Sequence, residues 1–369
     1  MKKRLIALFV TLMLLLPLCA PAAAEADQTQ ALLNGLIHAK QTRTGAADLQ
    51  QWVDTALAAS MGTGGEWYAL GLSRLQASLP CDLAPLRAAL RHALAEGGVQ
   101  TAATRQKLAL CLLAAGGSEG VGEIADGTIG QQGIMSWIFG LHLLNNGCHS
   151  SLATGAEAAA QLCAMQLEGG GWALMGQAAD VDVTAMVLQA LAPYQKEPSI
   201  AASVEAAVSL LAARQQPDGG FVSMGQPNPE SAAQVMIALC ALGIDPLEDE
   251  RFQQHGATPL DSITAYQLPE GGYAHAMGGG YSAAATVQVL DALAAHVRFS
   301  KGLPGLYLLD EVNGQVAGKQ AENAAATGDT AATATATATT NTDALSGTAI
   351  AITNTNALSG TATATTNTD

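Results

Sequence analysis

Three turns of one design constrain this chain more than anything else in it. They are Gln166-Leu167-Glu168-Gly169-Gly170-Gly171-Trp172, Gln216-Pro217-Asp218-Gly219-Gly220-Phe221 and Gln267-Leu268-Pro269-Glu270-Gly271-Gly272-Tyr273. Each is followed by an apolar helical run, at 187–191, 235–239 and 289–293, and the aromatics are 49 and 52 residues apart. A weaker copy, Gly64-Gly65-Glu66-Trp67, stands nearer the start. Paired glycines permit positive φ and let the backbone pass close to a neighbour. The acid is placed to receive backbone N–H groups, and the aromatic plugs the gap between successive units. A helical hairpin of this kind buries its apolar face only by stacking on the next, so the units must coil or close.

Between the turns the chain reads as helix almost throughout. Ala/Leu-rich segments with apolar residues at i, i+3 and i+4 cover 30–41, 49–61, 67–76, 83–95, 102–115, 133–145, 153–166, 181–194, 199–215, 229–242, 251–266 and 282–299. That predicts an all-α body of about twelve helices over residues 25–303. Both ends read as ordinary amphipathic helix with no polar cap, which favours closure into a ring. Composition agrees with a buried core, with 49% hydrophobic and 13% charged residues. The formal net charge is −15 with no basic stripe, which excludes nucleic acid and anionic membrane surfaces as partners.

The two ends of the chain carry different signals. Lys2, Lys3 and Arg4 precede an apolar run over 5–18, and Ala22 and Ala24 have signal-peptidase spacing before Glu25. A secretion signal over 1–24 is expected, followed by a secreted or cell-surface protein with no membrane insertion after cleavage. A lipoprotein signal using Cys19 is the rival, opposed by Leu18 where a small residue belongs. Removal of the signal leaves 13 basic against 31 acidic residues, a net of −18, and five cysteines, several within helical apolar runs. Residues 304–369 are expected to form a low-complexity Ala/Thr/Asn-rich tail, in which a 13-residue repeat begins at Asn341, Asn354 and Asn367. So short and polar a repeat cannot bury a core, and a disordered spacer follows.

The Gly-Gly-aromatic turns resemble the repeats of the terpene cyclase and protein prenyltransferase β-subunit superfamily, over about 64–295. The resemblance implies an α6/α6 toroid, with six inner parallel helices ringed by six outer ones. The same fold carries vitamin B12 transport proteins of the transcobalamin and intrinsic factor type. Thr128-Ile129-Gly130-Gln131-Gln132-Gly133-Ile134, with Ile138-Phe139-Gly140-Leu141, resembles exported bacterial members of the group. Such repeats specify fold and leave chemistry open, because the superfamily holds catalysts and carriers alike.

Three readings of the chemistry compete. Asp180-Val181-Asp182-Val183-Thr184-Ala185 resembles the Asp-x-Asp-Asp-Thr-Ala of squalene–hopene-type cyclases, which implies Asp182 as general acid and Asp180 as its neighbour. Val183 replaces the second aspartate of the adjacent pair, depleting the carboxylates that would hold a strong acid. The plainer alternative makes Asp180 a helix cap and Asp182 a first-turn acid favoured by the helix dipole. A carbocation cavity also wants many aromatic faces, and the whole chain has 15 aromatic residues. A zinc-dependent prenyltransferase needs an Asp/Cys/His set, and the seven histidines show no ligand spacing with cysteine, so no metal is expected.

The reading preferred on sequence is a non-catalytic binding module. Inner helices of a toroid begin on one rim, so their first residues converge on a concave mouth. The candidates there are Trp67, Tyr68, Gln132, Asp180, Asp182, Glu230, His275 and Tyr281, a mixture suited to amide-rich or cationic ligands. No cofactor is required. Resemblance to the B12 carriers makes a corrinoid the first ligand to test, although the C-terminal β-domain with which those carriers clamp it has no counterpart before the tail. An extracellular partner bound by a structural toroid is the remaining alternative.

Overall fold

The computed structural model describes residues 28–96 and 100–309; the expected signal segment and the repeat-bearing part of the tail lie outside them. The fold is all-α. Thirteen helices are present among the described residues: α1 (28–44), α2 (Leu49–Trp52, continued by a π turn Val53–Leu57 and a 3-10 turn Ala58–Ser60), α3 (Glu66–Arg74), α4 (Ala84–Glu96), α5 (Ala102–Ala114), α6 (Val121–Thr128), α7 (Gly133–Asn145), α8 (Gly155–Ala164), α9 (Val181–Leu191), α10 (Pro198–Arg214), α11 (Pro229–Leu242), α12 (Pro259–Ala265) and α13 (Ala283–Ser300). None is long and apolar enough to cross a membrane.

The helices fall into two classes that their sequences dictate. In α3, α5, α7, α9, α11 and α13 most residues are buried, in keeping with apolar residues on nearly every side. In α10 the buried residues are Ile200, Val204, Ala207, Val208 and Leu211, a single helical stripe, and α4 buries only Leu86 and Leu90. The first class packs in chain order: α3 on α5, α5 on α7, α7 on α9, α9 on α11 and α11 on α13. The sequence of contacts then returns, because α13 also packs on α3. The amphipathic helices lie against these, α4 on α5, α8 on α7, α10 on α9 and α12 on α11.

The three Gly-Gly-aromatic turns share one geometry. Leu167 N–H donates to the Gly171 carbonyl, Gln216 N–H to Gly220 and Leu268 N–H to Gly272, at 2.8, 2.8 and 3.0 Å. Gly219 has φ of 81°, and a Cβ there would lie 2.1 Å from the Thr258 carbonyl oxygen at the start of α12. Trp172, Phe221 and Tyr273 are fully buried beneath these turns. Gln166 Nε2 bridges the Gly170 carbonyl at 2.7 Å and Ser203 of α10 at 2.8 Å. Its counterpart in the second turn is Gln215, which bridges Gly219 and Phe252, both at 2.9 Å. Gln216, which opens the second motif as Gln166 opens the first, instead reaches the Arg214 carbonyl. The weaker copy differs in kind, since Trp67 there lies within α3 rather than under a turn.

Two helical expectations are corrected. α6 is a helix that the apolar pattern does not reveal, because Gly122 and Gly127 dilute its eight residues. The segment 251–266 is broken, with α12 starting only at Pro259 behind a capping box of Thr258 and Asp261. At the other end, residues 304–309, assigned to the tail, pack into the helical body: Leu306, Tyr307 and Leu309 are buried. The cysteines of the described residues, Cys81, Cys111, Cys148, Cys163 and Cys240, are all free thiols.

Candidate functional site

Past each buried aromatic the chain doubles back to cap the next buried helix. Trp172 pairs with Asp180, Val222-Ser223 with Gln226-Pro227, and Tyr273-Ala274 with Tyr281-Ser282. The caps are Asp180 for α9, Asn228 for α11 and Ser282 for α13, each accepting the N–H three residues on at 3.0, 2.8 and 3.1 Å. Two residues beyond these caps stand Asp182, Glu230 and Ala284. Asp182 and Glu230 therefore hold the same position in successive units, at the starts of helices that pack on each other.

These two carboxyl groups are the centre of the site. Asp180 caps α9 through Oδ1, and its Oδ2 accepts the Ser223 hydroxyl at 2.7 Å. Glu230, only 7% exposed, meets His275 Nδ1 through Oε1 at 2.9 Å. Its Oε2 is buried with no protein donor, and so is Oδ1 of Asp182. Burial pushes the Asp182 carboxyl up to about 6; the Ser231 and Ser223 hydroxyls oppose this, while the Asp180 and Glu230 charges add to it. Burial likewise raises Glu230, with His275 acting against it. Orphaned buried carboxyl oxygens cost about 1–3 kcal/mol each, more when charged, so the site favours whatever supplies N–H or O–H donors.

The remaining candidates do not join this cluster. Tyr281 accepts from Lys40 Nζ at 2.9 Å and carries the Arg43 guanidinium 3.9 Å above its ring. Lys40 also lies 5.0 Å from the Tyr68 ring centroid, and Tyr68 itself is 3% exposed, edge-on to Trp52. Gln132 caps no N–H of its own helix; its Oε1 accepts from Ala103 N–H at 3.0 Å and ties α7 to α5. Trp67 is half-buried between Phe139 and Tyr307, at centroid distances of 5.8 and 6.2 Å. Of the eight candidates, Asp180, Asp182, Glu230 and His275 are brought together, Tyr68 and Tyr281 share Lys40, and Trp67 and Gln132 serve packing.

Sequence reasoning missed Ser223 and Lys40. Ser223 lies in a short hairpin, paired with Gln226, that no periodic pattern announces. Superposing the three aromatic-to-cap segments would have exposed it, since 172–180, 221–228 and 273–282 are equivalent. Among the described residues no three His, Cys, Asp or Glu side chains are grouped to hold a metal ion. The chain is similar to ent-copalyl diphosphate synthase from Streptomyces platensis, with 18% identity, a TM-score of 0.45 and coverage of 71% of this chain. No protein-family model and no curated protein matches it. The chain spans about half of that synthase, 53% of its length.

Proposed function

We propose that this protein is an exported α/α toroid that binds a small donor-rich ligand, amide-bearing or cationic, at the starts of α9 and α11 without transforming it. Closure is supported by the order of packing, which runs through α3, α5, α7, α9, α11 and α13 and comes back to α3. The observation that carries the ligand is the pair of orphaned carboxyl oxygens, Asp182 Oδ1 and Glu230 Oε2, buried at equivalent positions of adjacent helices. An acidic mouth of this kind selects ligands by the donors they offer. A corrinoid, whose periphery carries amide groups, is the first to try, followed by polyamines.

The test is native mass spectrometry and calorimetry of the full chain against both classes, repeated with Asp182→Asn and Glu230→Gln. A one-to-one adduct weakened at least about tenfold by either change supports the reading, given roughly 1.5–3 kcal/mol for a hydrogen bond to a charged group. Adducts indifferent to both substitutions, or none in either panel, sink it. A second reading has its own observation: the pKa of Asp182 near 6, with Asp180 and Glu230 as neighbours, suits a general acid. Under that reading Asp182→Asn abolishes turnover of a polyprenyl substrate by orders of magnitude, and product analysis decides.

A further inference from the structure

A second buried polar region lies at the C-terminal ends of α3, α7 and α13 and is filled by the chain itself. α13 ends at Ser300, and just past it Gly302, with φ of 64°, lets Leu303 N–H return to Arg298 and Gly302 N–H to Phe299. The chain then runs back between the helices as residues 304–309, with a turn closed from Leu308 N–H to the Gly305 carbonyl at 3.1 Å. No helix or strand of its own holds this segment. Side chains from three elements hold its backbone instead: Arg74 of α3 donates to the Leu308 carbonyl at 2.6 Å, and Arg298 of α13 to Pro304 at 2.9 Å. Asn146, at the end of α7, uses its whole amide, donating to the Tyr307 carbonyl at 2.8 Å and accepting Leu309 N–H at 2.7 Å.

The side chains of the segment are received just as specifically. The Tyr307 ring stacks on His142 at 4.3 Å and stands edge-on to Trp67, while Leu306 and Leu309 are 1% and 0% exposed. Gly305 lies against Ala241 of α11, where a Cβ would make ordinary van der Waals contact. An aromatic anchor in a pocket, flanked by leucines, with backbone groups read by Asn and Arg side chains, matches the way proteins hold a peptide ligand. We propose that the space between α3, α7 and α13 is a peptide-binding site, occupied in cis by residues 304–309, for a turn-forming peptide with a tyrosine anchor. This site is separate from the carboxyl pair at the helix starts and does not depend on its ligand.

Fluorescence anisotropy tests it with a labelled peptide of residues 302–309 added to the full chain carrying Tyr307→Ala, which vacates the anchor pocket. Saturable binding is expected, lost when the peptide's own tyrosine is alanine and weakened about tenfold when Asn146→Ala removes two backbone hydrogen bonds. A folded Tyr307→Ala chain that ignores the peptide overturns the proposal. Should that variant fail to fold, hydrogen exchange on the unaltered chain decides the matter. The amides of Leu308 and Leu309 should exchange by an opening that leaves α13 protected. Exchange only together with α13 makes the segment part of the core and ends the idea.

Discussion

A carboxyl group whose pKa rises on folding and an imidazole whose pKa falls tilt the pH dependence of stability in opposite directions, and this chain holds both kinds, Asp182 and His142 among them. Asp182 goes from an ordinary 3.8 to about 6, so between those values the folded chain binds a proton that the unfolded chain does not. Its contribution is largest in acid and declines as pH rises, by up to about 3 kcal/mol. Burial pushes His142 down from 6.5 to about 3, so there the unfolded chain takes the proton and stability falls with acidification, by up to about 5 kcal/mol. The two slopes oppose each other between about pH 4 and 6. Asp182→Asn should therefore gain stability at pH 7 and fall more steeply in acid than the wild type. His142→Phe should show the reverse tilt, as urea midpoints at pH 4.5 and 7 will report. Gly219→Ala is expected to cost at least about 2 kcal/mol, since its φ of 81° and the Thr258 carbonyl both reject a Cβ.

At the scale of elements, the turn sets the equivalence of residues, and adjacent glutamines make it easy to misread. Gln215→Ala should destabilise by about 2 kcal/mol, the worth of two buried hydrogen bonds, whereas Gln216→Ala should fall within about 0.5 kcal/mol of wild type. Equal effects of the two would refute the assignment, and thermal unfolding measures both. Much of this layer was legible beforehand. Apolar runs at helical spacing located most of the thirteen helices, and Asp180 and Asp182 could be read as cap and first-turn acid from their position alone. The failures have local causes. α6 carries two glycines in eight residues, and the run at 251–266 hides Gly256 and Pro259. The polar partners of the site were out of reach: Ser223 meets Asp180 from 43 residues away and Lys40 meets Tyr281 from 241. Residues 302–305, Gly-Leu-Pro-Gly, read as the end of the folded body, and the burial of Tyr307 depends on Asn146 and His142, which no local pattern announces.

At the scale of the molecule, the first of the described helices lies beside the last of them. Thr29 of α1 bonds His296 of α13 at 2.9 Å, and Gly271, in the turn before α13, would place a Cβ 2.2 Å from Ala39. A stack with free ends frays from them, whereas a closed one has no weakest unit. Hydrogen exchange should find α1 and α13 as protected as α9; lower protection at both would argue for an open stack. The shared register of Asp182 and Glu230 has one more consequence. The glycines and the aromatic recur in every unit, while the residue two past the cap changes from Asp182 through Glu230, which meets His275 at 2.9 Å, to Ala284. That position works as an interchangeable address, written once per unit, and the third copy is Ala284, incompletely buried. Under the proposed binding reading, ligand choice would be rewritten there, one letter at a time, with the core left as it was.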